Sequence, residues 1–323
     1  MSITLGLLLT DKKLKRLNDV EMFAAFDSMN ITYYRIDTTK PLGEQKPVDA
    51  ILHKVIDQFE VKGDESERIK RWLDETRRNY PNMVFIDSLD YLHEFLNRSY
   101  TYEVGEEAIR KSHLESFLSV PAYFLLPKGE NLGQALQSHH MSLPILVKPQ
   151  FTTGDPSSHA IDILLSESSL PSSYSMDMVV QSYKDHNGVI YKAYAVEDHI
   201  FLEKRYSLPN TCGCDNPVAK YTIDRLKKCP SSFSSAAVKN ATHNNEIIHD
   251  ATQDELAVES IRPFIVEVEA MLNKALLGVD FIIDASDPEK VYCVDINLFP
   301  SYTGFEGVSR LMGELIRKKC GVS

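Results

Sequence analysis

Short apolar runs alternate with longer charged stretches at the start of the chain. Residues 3–9 (ITLGLLL), 31–36, 48–55 and 83–87 are rich in aliphatic and aromatic side chains and predict strands. Residues 12–29 and 66–79 space their apolar positions as helices do, and a short helix runs up to Leu96. Pro41 and Pro47 mark a loop between the second and third strands. This β-α-β-α rhythm predicts a mostly parallel sheet with helices on its faces.

From about Tyr102 the texture changes. Residues 103–117 read as a helix, and 122–126, 144–148, 160–165 and 178–183 as strands, with PQFTTGDPSS a loop by composition. Residues 191–196 and 200–205 read as an antiparallel pair turning at Glu197-Asp198-His199. Residues 208–250 are polar and aperiodic, and are expected to carry little regular structure. A helix then runs to Leu276, tolerating Pro263 near its first turn. Residues 280–283 and 291–298 form a hairpin through Ser286-Asp287-Pro288, and a last helix spans 306–319. The fold class is α/β, divided at 1–100, 101–190 and 191–323.

Composition narrows this modestly. With 323 residues and 43% hydrophobic content, the chain has enough material for a normal core in two or three domains. Its apolar runs all fall short of a membrane-spanning length, and the apolar start precedes its charges, the reverse of a secretory signal. Five irregularly spaced cysteines argue against a disulfide framework and for a reducing, cytoplasmic setting. Cys212-Gly-Cys214 with Cys229 is a weak zinc signal, since C-x-C with one distant Cys lacks a complete ligand set. The net charge of −11 disfavours nucleic acid and anionic membrane as partners, while leaving room for a small anion held by a local basic cluster.

Candidate chemistry begins with VDINLFPSY, residues 294–302. Asp295 and Asn297 are poor strand formers two apart, so both project from one face of an apolar run. If the hairpin pairs, Asp280 in GVDFIID joins them, and two carboxylates with an amide oxygen suit Mg²⁺. On the strand pattern alone a second reading stands equally: polar edge residues facing water. Lys148 ends a strand before a glycine loop, where a lysine and loop amides can meet phosphates, or simply a solvated lysine can sit. Lys192 lies inside a strand, where a charge must be paired or face a cleft. Arg205 ends the next strand. In TDKKLKRLND, the basic side chains of Lys12, Lys13, Lys15 and Arg16 crowd the first turns of a helix against its dipole. That is costly without a docked anion, though a solvated basic face also fits. Lys54 ends a strand of the same domain, at the carboxyl edge where α/β sheets keep their ligand crevice.

Taken in order, DHNGVIYKAY, RYSLPN, GVDFII and VDINLFPSY resemble the inositol-tetrakisphosphate 1-kinase family, also called inositol trisphosphate 5/6-kinases. LTDKKLKRLN, VDAILHKV and LNRSY add weaker support, and the likeness runs over nearly the whole chain. The resemblance implies an ATP-grasp fold behind an N-terminal Rossmann-like, pre-ATP-grasp domain. It implies a monomeric kinase that transfers the γ-phosphoryl group of ATP, with Mg²⁺, to an inositol tris- or tetrakisphosphate. It places Arg98, Lys148, Gly154, Gln181 and Ser207 at ATP, and Asp280, Asp295 and Asn297 at the metal. It places Lys13, Lys54, His159, Lys192, Arg205, Asn297 and Ser301 at the substrate, with Lys192 and Asp295 nearest the chemistry. The chain departs from the family at Ser301, where Gly is usual, at Thr153, where His is common, and in a loop to His159 one residue longer. Ser231–Ser235 receive no role. Two rivals remain: a carboxylate–amine ligase of the same superfamily, and an inositol-phosphate-binding protein without turnover.

Overall fold

Strand β1 (Ile3–Leu8) is buried at five of its six positions, which only a strand covered on both faces can accommodate. It pairs in parallel with β2 (Ile31–Arg35) and β3 (Ala50–His53), and β3 pairs with β4 (Val84–Ile86), giving the order β2-β1-β3-β4. The expected parallel sheet is therefore present. The structure is a computed structural model that describes residues 1–59, 63–152, 160–211, 219–224, 247–248, 256–302 and 304–322.

The helix expected over 12–29 is two helices, α1 (Asp11–Arg16) and α2 (Asp19–Ser28). They break at Asn18, whose φ of 54° lies in the left-handed region that Asn tolerates better than most residues. The break lets α1 bury Lys13 and Leu14, with Leu17 just beyond its end. After the short α3 (Ile56–Phe59), α4 (Asp64–Asn79) buries Ile69, Trp72, Leu73 and Thr76, a helical stripe. Acidic residues open α4 and Arg77 and Arg78 close it, as the helix dipole favours.

The helix expected at 103–117 starts five residues earlier, as α5 (Arg98–Ser112). The Asn97 carboxamide oxygen accepts from Ser99 N at 3.1 Å, a cap that the aromatic residues after it disguise. The chain continues through β5 (Leu118–Ser119), β6 (Tyr123–Leu126), α6 (Leu132–Ser138), β7 (Ile145–Pro149), β8 (Ala160–Leu164) and β9 (Met178–Ser182). Then follow β10 (Val189–Val196), β11 (His199–Tyr206), β12 (Lys220–Asp224) and α7 (Val258–Leu272). The last elements are β13 (Leu276–Asp284), β14 (Asp287–Leu298) and α8 (Val308–Lys319).

Two five-stranded sheets result, β12-β8-β7-β9-β6 and β11-β10-β13-β14-β5. Division of the chain at 100 and 190 does not follow them. β5 lies before residue 190 yet pairs with β14, and β12 lies after it yet pairs with β8. Pairing is decided by which strand edges remain open in space, not by chain order. The helix expected to reach Leu276 stops at Leu272, because Asn273 takes a left-handed φ of 52° and Leu276 opens β13 instead. Within the segment expected to be irregular, β12 is a regular strand; most of the remaining residues, with Cys212, Cys214 and Cys229, lie outside the described set.

The N-terminal sheet is tied to the last one by buried polar contacts. Asp87 accepts N–H from Ala275 at 2.9 Å and Leu276 at 2.7 Å, and Lys274 Nζ donates to the carbonyls of Ser88 and Asp90. α8 packs on α2. No helix among the described residues is long and apolar enough to cross a membrane.

Candidate active site

The hairpin β13–β14 sets Asp280 opposite Asp295 and Gly278 opposite Asn297. Because side chains alternate along a strand, Asp295 and Asn297 share a face; Asn297 Nδ2 donates to Asp295 Oδ2 at 3.1 Å. On the other side, β10 places Lys192 opposite Asp280, and the two form a close ion pair with both side chains mostly buried. The charge inside β10 is thus paired, as burial requires. On β11, Arg205 is bound to Glu203, with Nε 2.6 Å from Oε2. Gly278 has a packing reason: a Cβ there would meet Pro300 at 3.1 Å.

The facing wall comes from the central sheet. Lys148 on β7 is buried, and its Nζ reaches Gln181 Oε1 on β9 at 2.9 Å and Tyr102 OH on α5 at 3.0 Å. Arg98, at the start of α5, is also buried and donates from Nε to the Pro149 carbonyl at 2.9 Å. The exit of β7 is strapped to α5 by Arg98 N to Gln150 O and Thr152 N to Leu96 O. His186 holds Ser207: its Nε2 lies 3.0 Å from Ser207 Oγ and its Nδ1 2.7 Å from the Lys184 carbonyl. Burial keeps the His186 pKa below its ordinary value.

Two hollows lie between these walls. A cleft of about 780 Å³ is lined by Arg98, Lys148, Gln181, Ser207, Asp280 and Asp295, with apolar residues between them. A second, more polar hollow of about 530 Å³ is lined by Lys54, Asp57, Thr101, Thr152 and Asn297. Arg98 and Asp295 line both hollows, so the two meet there.

Most of the expected site residues are thereby assembled. Arg98, Lys148, Gln181, Ser207, Asp280 and Asp295 share the first hollow, and Lys54 and Asn297 the second. Lys192 and Arg205 line neither hollow; each is paired with a carboxylate, Asp280 and Glu203 respectively. Lys13 departs from expectation. It is 3% exposed, and its Nζ donates to the carbonyls of Phe299 at 2.7 Å and Pro300 at 2.6 Å while lying 3.8 Å from the Phe299 ring centroid. Those carbonyls supply the negative end that a docked anion was expected to supply. Burial, with Lys54 nearby, holds its pKa well below the usual lysine value. Ser301 is half-buried and lines neither hollow; Gly154, His159 and Thr153 lie outside the described residues. Sequence reasoning missed Tyr102 and His186, whose partners Lys148 and Ser207 lie 46 and 21 positions on, and Glu203 and Asp57, which pair with the nearby Arg205 and Lys54.

Two family profiles match this chain: the inositol 1,3,4-trisphosphate 5/6-kinase pre-ATP-grasp domain over residues 4–92, and the ATP-grasp domain of the same family over residues 112–317. The chain belongs to the inositol 1,3,4-trisphosphate 5/6-kinase family. Inositol-tetrakisphosphate 1-kinase 1 of Oryza sativa subsp. indica is 26% identical over 319 residues, covering 96% of this chain and 82% of that one. Inositol-tetrakisphosphate 1-kinase 3 of Arabidopsis thaliana is 27% identical over 307 residues, covering 93% and 80%. Inositol-tetrakisphosphate 1-kinase of Xenopus laevis is 26% identical over 320 residues, covering 96% and 76%. Among solved structures, an ADP complex of N5-carboxyaminoimidazole ribonucleotide synthetase superposes with a TM-score of 0.61 at 14% identity, covering 100% of this chain and 78% of that one. The D-alanine–D-alanine ligase of Bacillus anthracis does so with a TM-score of 0.59 at 13% identity, covering 99% and 97%. At those identities the likeness is one of fold, and the fold of this member of the 5/6-kinase family is ATP-grasp.

Proposed function

We propose that this chain transfers the γ-phosphoryl group of ATP to a ring hydroxyl of an inositol tris- or tetrakisphosphate. The observation that carries the reading is the meeting of two hollows at Arg98 and Asp295. The first hollow suits a nucleotide, with apolar walls for a base and Lys148, Arg98 and Asp280 in its lining. The second, polar and lined by Lys54, suits a phosphorylated ring.

Phosphoryl transfer depends on positioning and charge neutralisation rather than on covalent help from the protein. Lys148 is held by Tyr102 and Gln181, so its ammonium is oriented before ATP arrives. Arg98 stands where donor and acceptor hollows join, positioned to neutralise charge on the moving group. Lys192 holds Asp280 in place. Asp280, Asp295 and the Asn297 amide oxygen form a hard-oxygen set that fits Mg²⁺, which would offset charge on the nucleotide phosphates. The chain is proposed to work as a monomer in the cytoplasm, without nucleic-acid or membrane partners.

Incubating the purified protein with labelled ATP and a panel of inositol phosphate isomers, then resolving product positions, tests the reading. Labelled product from a tris- or tetrakisphosphate is expected. ADP formed only with amino-acid acceptors would replace it with a ligase, and tight inositol phosphate binding without ADP would replace it with a binding protein.

A further inference from the structure

In the acceptor hollow, the cation from the N-terminal sheet does not stand alone. Lys54, just after β3, and Asp57, in the first turn of α3, both line the hollow, and Lys54 Nζ lies 3.0 Å from Asp57 Oδ1. Their side chains are 21% and 35% exposed, so solvent screens the pair only in part. A site meant purely for phosphates gains nothing from a carboxylate there. Among the described residues lining the hollow, Lys54 and Arg98 are balanced by Asp57 and Asp295. Thr101, Thr152 and Asn297 add groups that can hydrogen-bond to hydroxyls.

An ionised carboxylate only accepts hydrogen bonds. A phosphate set against Asp57 would bring two anions together and compete with Asp57 for Lys54, whereas a ring hydroxyl would donate to it. Neighbouring substituent oxygens on an inositol ring lie about as far apart as the two ends of this pair. We propose that the Lys54–Asp57 pair reads two adjacent positions of the acceptor ring, Lys54 taking a phosphate and Asp57 a free hydroxyl. The acceptor then needs a free hydroxyl besides the one phosphorylated, which tris- and tetrakisphosphates have and pentakisphosphates lack. Asp57 is a specificity-determining residue that acts by repelling the wrong acceptor as well as binding the right one. The inference rests on the kinase reading above.

Asp57→Asn keeps the shape, removes the charge and supplies an amide that can donate to phosphate. With ATP saturating, kcat/KM is measured for a trisphosphate, a tetrakisphosphate and a pentakisphosphate, and binding of each by calorimetry. The expected result is a rise of about tenfold or more in the pentakisphosphate-to-tetrakisphosphate ratio, in turnover or, if the variant turns over poorly, in affinity. The KM for ATP should stay put, and Asp57→Glu should keep the wild-type ratio low. A ratio unchanged in Asp57→Asn, or a parallel fall for all three acceptors, overturns the proposal and leaves Asp57 as a mere prop for Lys54. A wild-type protein that phosphorylates no inositol phosphate would instead overturn the kinase reading, a distinguishable outcome.

Discussion

Replacing Lys13 by Met separates two roles that the sequence alone leaves merged. The substitution keeps the aliphatic stem and removes the ammonium, which donates to Phe299 and Pro300 at 2.7 and 2.6 Å from a side chain almost without exposure. Removing the donor leaves two carbonyls unpaired at about 1–3 kcal/mol each, roughly 2–6 kcal/mol together, which relief of the buried amine offsets in part. The net expectation is a loss of about 2 kcal/mol, roughly a factor of 30 in the folding equilibrium. Phe299 also holds a left-handed φ of 44°, a conformation that its surroundings must maintain. Because this turn begins two residues after Asn297, its loosening should lower kcat more than it raises the acceptor KM. Urea denaturation and steady-state kinetics with a tetrakisphosphate measure both. An unchanged urea midpoint, with kcat preserved and acceptor KM raised tenfold or more, would refute the reasoning and make Lys13 a phosphate ligand.

Three further outcomes are expected. Asp295→Asn should cut turnover by about a hundredfold or more while leaving the circular dichroism spectrum and urea midpoint near wild type; wild-type-like activity would remove Asp295 from the chemistry. Asp162→Ala should destabilise the central sheet by about 3 kcal/mol, because Tyr174 OH, Lys220 Nζ and Thr222 Oγ1 all donate to this buried carboxylate. Hydrogen exchange should then rise first over residues 220–224. Glu269 is pushed up to about 8 by burial, then by Asp87, Glu197 and Asp198. Its folded pKa lies above the ordinary 4.5, so its contribution is intact below pH 4.5 and is lost as pH rises toward 8. Urea midpoints of wild type and Glu269→Gln, compared from pH 5 to 8, should show a decline with pH that is shallower in the variant; parallel curves would contradict this.

Much of the site was legible because its chemistry is local. Asp295 and Asn297 interrupt an apolar strand two positions apart, and strand alternation alone puts them on one face. The N-terminal β-α-β-α rhythm was legible for the same reason, since periodicity is a property of neighbours. Boundaries were less so: the cap at Asn97 and the left-handed residues Asn18 and Asn273 depend on single side chains that weigh little in a periodic pattern. The bearing of Lys13 was not legible at all, since a basic residue in a first helical turn reads the same whether it faces water, a ligand or two carbonyls.

By itself the sequence determined which segments could be buried, which strand carried paired oxygens, and which ordered motifs marked the family. Only the tertiary structure decided that β5 and β12 cross between sheets, that Lys192 serves Asp280, and that Lys13 braces the turn after Asn297. It also decided that Asp57 shares the second, polar hollow with Lys54. Lys13 and the Phe299 carbonyl are 286 positions apart. A contact of that kind is chosen by how packed sheets bring distant backbone within hydrogen-bond reach, which a reading of neighbouring residues does not contain.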